Sequence, residues 1–136
     1  MNLEKQKPIH GREFDWFAVD GAGNIAHFST AGVGPAPAAA IARVDEMRAL
    51  QEQILQLPVI ATATPHLPGD INDWLEMSRR GLFSYDWKHW EGPYQRAATP
   101  SKPITIGALA HELRELVQLV TLHEIRFADQ SVIPSC

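Results

Sequence analysis

The sequence predicts a single α+β domain: an antiparallel sheet built from two hairpins plus a C-terminal strand, helices packed on one face, in the order ββ-α-α-ββ-α-β. Three observations carry that expectation. Segments 14–30 and 82–98 are rich in aromatic and β-branched residues and each is broken by a turn or loop, the mark of a hairpin. Segments 37–56 and 106–120 place apolar residues at steps of three and four, the mark of a one-faced helix. The whole chain of 136 residues is 45% apolar and 21% charged, so one domain can bury a core without disulfides or metals.

Residues 1–12 carry Lys5, Lys7 and Arg12 against Glu4 and read as a flexible N-terminal arm ahead of a domain at 13–136. In the first strand Phe14, Trp16 and Ala18 alternate with Asp15, Phe17 and Val19. Gly21–Asn24 is a turn cluster, and Ile25–Thr30 returns as the second strand. Trp16 and Phe17 point to opposite sides, so one of them faces solvent or lies under a helix.

A Gly/Pro connection at 31–37 leads into a helix over 37–56, whose face is Ile41, Val44, Met47, Leu50 and Ile54; Pro58 ends it. After a Thr/Pro/Ala stretch with a short strand at 59–62, Asp70 caps a helix over 71–80, and Gly81 stops it. Residues 82–86 and 93–98 form the second hairpin around a loop at 87–92. The last helix places Ile106, Leu109, Leu113, Leu116 and Val120 on one face and His111, Glu112, Arg114, Glu115 and Gln118 on the other. Thr121–Phe127 alternates as the final strand.

Charge and cysteine usage exclude several classes. The net charge is −4 and the pI about 5.8, which argues against a general nucleic-acid binder. The acids cluster: residues 13–76 hold nine (Glu13, Asp15, Asp20, Asp45, Glu46, Glu52, Asp70, Asp73, Glu76) against Arg43 and Arg48. Such a half suits a basic partner, or is a solvated acidic surface. No signal peptide or membrane span is predicted, and the lone Cys136 makes no internal disulfide, so the expected location is cytoplasmic.

No catalytic motif is legible. His111-Glu112 and His123-Glu124 lack the second histidine of a helical zinc site, and 123 and 124 fall on opposite faces of the predicted strand. Gly32 and Gly34 do not make a dinucleotide fingerprint, because position 37 is Pro. No metal and no cofactor are predicted. The distinctive feature is aromatic: Phe83, Tyr85, Trp87, Trp90 and Tyr94 lie within twelve residues, interleaved with Asp86, Lys88 and Glu91. Exposed in a loop, Trp87 and Trp90 would be contact anchors for a protein or a sugar; folded inward, they would cap the core.

The stretch Glu13–Gly32 (EFDWFAVDGAGNIAHFSTAG) resembles the opening hairpin of small bacterial proteins associated with immunity partners of polymorphic toxin systems. Gly81–Asp86, Gly92-Pro93-Tyr94 and Ile125–Asp129 are similar to later parts of those proteins. The resemblance implies a protein-binding module that neutralises a cognate toxin, a basic toxin domain being the fitting partner, without catalysis. The partner-binding residues it directs attention to are Asp15, Asp20, Tyr85, Trp87, Lys88, Trp90 and Tyr94. Two alternatives stand beside it. One is an enzyme or small-ligand domain whose site is assembled from scattered groups such as His27, Asp86 and His89, converging on a cleft with a carboxylate. The other is a sugar-binding module using Trp87 and Trp90.

Overall fold

The computed structural model describes residues 3–4, 14–32, 34–88 and 92–133. The fold is α+β. Its centre is a hairpin of β2 (Asp15–Asp20) and β3 (Ile25–Ser29), turned at 21–24 as the sequence predicts, with Phe17 opposite His27 and Asp15 opposite Ser29. β6 (Phe83–Trp87) and β7 (Tyr94–Pro100) form the second antiparallel pair. β1 (Leu3–Glu4) pairs antiparallel with β4 (Ala36–Pro37) in a separate two-stranded sheet, and the rest of the predicted arm lies outside the described residues.

The expected antiparallel sheet is corrected to a mixed one. β3 and β6 lie side by side in parallel, with His27 next to Ser84. β8 (Thr121–Leu122) joins β2 in parallel at the far edge. The order across seven strands is β5-β7-β6-β3-β2-β8, with β5 (Ala63–Pro65) and β9 (Val132–Ile133) sharing the outer edge of β7. The parallel contact follows from the connection. The segment between β3 and β6 holds three helices, long enough to carry the chain back over the sheet and start β6 at the same end as β3.

Two predicted helices are interrupted. The 37–56 stretch divides into α1 (Ala38–Ile41) and α2 (Val44–Leu55), because Arg43 leaves helical geometry at φ −128°, ψ 41°. Of the expected stripe, Ile41, Met47, Leu50 and Ile54 are buried, and Val44 is half-buried against the core. The 106–120 stretch yields a 3₁₀ turn at Ile106–Ala108, then α4 (His111–Val117), since Leu109 and Ala110 are extended. α3 (Asn72–Arg79) matches its prediction closely. The cap is the exception: Ile71, not Asp70, stands at the N-cap without a side-chain bond, and Asp70, one residue before it, accepts from Asn72 N–H. Gly81, at φ +94°, lets Leu82 N–H reach the Met77 carbonyl and close the C-terminus. The predicted strand at 121–127 is cut to two residues, so His123 and Glu124 sit in a turn instead of on opposite faces of a strand. A short strand expected at 59–62 forms at 63–65.

Both faces of the sheet are buried, which is why Trp16 and Phe17 are each fully covered. α2 and α4 pack against β2, while α3 packs against β5, β6 and β7, on the face of Phe17, Val19, Ile25 and His27. The opposite face carries Trp16, Phe28, Tyr85, Trp87 and Tyr94, and irregular segments cover it. Phe127 and its 3₁₀ turn close one end, and the 31–37 connection closes the other through Pro35, whose carbonyl accepts from Tyr94 Oη at 2.7 Å. Gly34 is required there: a Cβ would stand 2.8 Å from the Trp87 ring. That close approach, and not phosphate binding, accounts for the glycine in the connection. Among the described residues no helix is long and apolar enough to cross a membrane.

Candidate functional site

The alternation of β2 and β3 sets Asp15, His27 and Ser29 on the helix-covered face, one register step apart. The parallel neighbour β6 adds Ser84 beside His27. His27 Nε2 lies 2.8 Å from Asp15 Oδ2, and His27 Nδ1 lies 2.7 Å from Ser84 Oγ. Gln51 of α2 donates its amide N–H to the same Asp15 oxygen at 2.8 Å. A carboxylate only accepts, so His27 carries its proton on Nε2, and in the neutral ring Nδ1 accepts from the Ser84 hydroxyl. Serine, histidine, aspartate and glutamine thus form one chain of hydrogen bonds across β6, β3, β2 and α2.

A cleft of about 210 Å³ opens over Asp15. Phe14, Asp15, His27 and Ser29 form its floor, Arg48 and Gln51 of α2 one wall, and Asp73 and Trp74 of α3 another. Trp74 is held by its indole N–H, which donates to the Tyr85 carbonyl at 3.3 Å. The depth is graded: the His27 side chain is 2% exposed and Asp15 18%. Ser84 is fully buried.

That gradient decides the chemistry. Ser-His-Asp connectivity suggests a nucleophilic triad, but a nucleophile must meet its substrate, and Ser84 has no surface to offer. The buried hydroxyl and imidazole instead satisfy one another and fix the Asp15 carboxylate at the bottom of the cleft. Arg48 and Asp73 are exposed at the mouth and, among the described residues, neither takes part in an ion pair. Elsewhere charges do pair: Glu76 bridges Arg79 and Arg80, which hold its carboxyl below the usual range. No group of three or more potential metal ligands occurs among the described residues.

The residues singled out from sequence are dispersed. Asp15 belongs to the cleft. Asp20 is buried and structural: Oδ1 accepts from the N–H groups of Ala22 and Asn24, and Oδ2 from Phe127 N–H at 2.8 Å, so it ties the hairpin turn to the C-terminal segment. Tyr85, Trp87 and Tyr94, expected as partner-binding candidates with Trp87 in an exposed loop, are buried in the aromatic face. Burial pushes both tyrosine hydroxyls up from their ordinary pKa. The alternative in which rings fold inward to cap the core is the one these three follow. Lys88 is exposed. Trp90 and His89 lie outside the described residues. Asp86, half-buried, pairs in register with Ser29. The groups sequence reasoning did not bring together are Ser84, Arg48, Gln51, Asp73 and Trp74. His111 Nε2 and Glu115 Oε1 lie 3.0 Å apart at i,i+4, an exposed surface contact of α4.

Comparison with known proteins returns no match: no family model fits the chain, and no curated protein or solved structure is significantly similar to it.

Proposed function

We propose that this chain is a small-ligand-binding domain whose ligand enters the cleft between α2 and α3 and contacts Asp15. The observation that carries this reading is the Ser84–His27–Asp15–Gln51 chain. His27 and Gln51 both donate to the Asp15 carboxylate, Ser84 stands behind His27, and Asp15 is left partly open at the floor of the cleft. An apolar sheet would need none of them. Pre-oriented polar groups on rigid elements under a concave opening are the ordinary makings of a binding site. At about 210 Å³ the opening suits a molecule of a few heavy atoms and excludes a drug-sized one. Soaking crystals with a set of small polar fragments tests it. The expected result is density against Asp15 and Trp74. Fragments that gather elsewhere and leave the cleft to water would sink the reading.

A second reading is the immunity-type module, a protein that binds and neutralises a basic toxin domain. The surface of α2, α3 and their connection supports it: Asp45, Glu52, Asp70 and Asp73 are exposed there, as are Leu55, Val59 and Ile60 at 37, 58 and 40% exposure. Exposed acids and exposed apolar residues on the same elements fit a basic protein partner. Capture of a stoichiometric basic domain, lost on Val59→Asp with Ile60→Asp while fragment binding in the cleft persists, would establish this reading as a separate surface.

A further inference from the structure

We infer that the ligand of the cleft is a small zwitterion of the amino-acid type, its ammonium held by Asp15 and Asp73, its carboxylate by Arg48, and its short apolar part against Trp74. This rests on the cleft being a ligand site and names what that site selects. The argument is one of charge left unpaired. Arg48 projects from α2 and Asp73 from α3, both onto the same opening, yet the two do not bridge. Opposite charges on two walls of a small cleft complement a ligand that brings one charge of each sign.

The stoichiometry orders the two ends. Two carboxylates face one guanidinium, so the ammonium is the dominant requirement and the carboxylate the refinement. Asp15 is the fixed point, since His27 and Gln51 both donate to its Oδ2. Arg48 and Asp73 are exposed and adjust around the ligand. Trp74 supplies an apolar wall, and the indole face also favours a nearby cation. A purely anionic ligand would meet two carboxylates, and a neutral polyol would leave Arg48 and Asp73 without an opposite charge.

Isothermal titration calorimetry of the full chain with four matched probes tests this: L-alanine, ethylamine, propionate and glycerol. L-alanine is expected to bind most tightly, ethylamine about tenfold more weakly through loss of the charge-assisted contact to Arg48, and propionate and glycerol not measurably. Arg48→Gln should reduce L-alanine to the level of ethylamine and leave ethylamine unchanged. Asp73→Asn should weaken both by about tenfold. Both side chains are exposed, so neither variant should fail to fold. Propionate or glycerol binding as well as L-alanine, or L-alanine binding that ignores Arg48→Gln, overturns the zwitterion while leaving the cleft as a ligand site. Silence from all four probes, with the protein folded, overturns the cleft reading as well.

Discussion

The two faces of the central sheet are built on opposite principles. On one, Trp16 stacks on Phe28 with centroids 4.0 Å apart and planes at 7°, Phe28 stacks on Tyr85 at 5.1 Å, and Tyr94 meets Trp16 edge-on at 5.7 Å. Loops cover this face, and two of its polar tips are satisfied inside: Trp16 Nε1 donates to Tyr94 Oη, and Tyr85 Oη donates to the Gln130 carbonyl, whereas Trp87 Nε1 is buried without a partner among the described residues. On the other face helices cover the sheet. A histidine and a serine sit at its centre, and a cleft descends to the carboxylate they hold. Aromatic stacking needs no helix to complete it, because the rings provide both area and shape. A polar chain stabilises little, costs much when broken, and earns its place only by orienting a group. The comparison separates the two faces: the aromatic face holds the stacked core, and the helix face holds the polar chain and the cleft.

Substitutions sharpen that division, beginning with the largest effect. Phe28→Ala removes the ring shared by the stacks and should cost about 3–5 kcal/mol, read as a fall in the urea midpoint. Asp20→Ala strips three accepted hydrogen bonds and leaves the Phe127 N–H buried without its partner; a loss of about 3 kcal/mol is expected, with faster amide exchange at Phe127. Ser84→Ala leaves His27 Nδ1 unpartnered and should cost about 1–3 kcal/mol while ligand affinity changes little, since Ser84 never meets the cleft. A loss of binding far beyond that destabilisation would bring Ser84 back as a working group. Asp73→Asn and Arg48→Gln should change stability by less than about 0.5 kcal/mol and act on binding alone.

The aromatic face also has a pH signature. Burial raises the pKa of Tyr85 and of Tyr94, so the folded state holds both protons where the unfolded chain releases them. Their contribution is fully present below the unfolded value near pH 10 and is lost as pH rises from there toward the folded values, at about 1.4 kcal/mol per pH unit for each tyrosine. Tyr94→Phe should lessen the alkaline slope by one proton. An unchanged slope would mean that Tyr94 is not shielded as described.

Much of the fold was legible because it is local. The turn at Gly21–Asn24 fixes the register of β2 on β3, and from that register Asp15 and His27 follow as neighbours on one face. Half of the site could therefore be read from the hairpin alone. Ser84 could not, because its place beside His27 depends on β3 and β6 pairing in parallel across 57 residues, a long-range choice that no local pattern records. Arg48 and Gln51 read as ordinary solvent-facing positions of α2, and Asp73 as a first-turn acid suited to the helix dipole. The helix break at Arg43 has no local signal. That after Ala108 has a partial one in Gly107, a poor residue for a helix interior. The aromatic run at 83–94 was ambiguous for a different reason: ring-rich strands look alike whether they line a core or a binding surface.

The most direct test uses the two indole N–H groups that report on opposite faces, Trp74 beside the cleft and Trp16 in the aromatic stack. A ¹H–¹⁵N NMR titration with L-alanine should move the Trp74 indole together with the Ser29, Gln51 and Asp73 amides, and leave the Trp16 indole and the Phe127 amide in place. Movement of the Trp16 indole and the Phe127 amide with the cleft silent, or no movement anywhere, would contradict the assignment of the site to the helix-covered face.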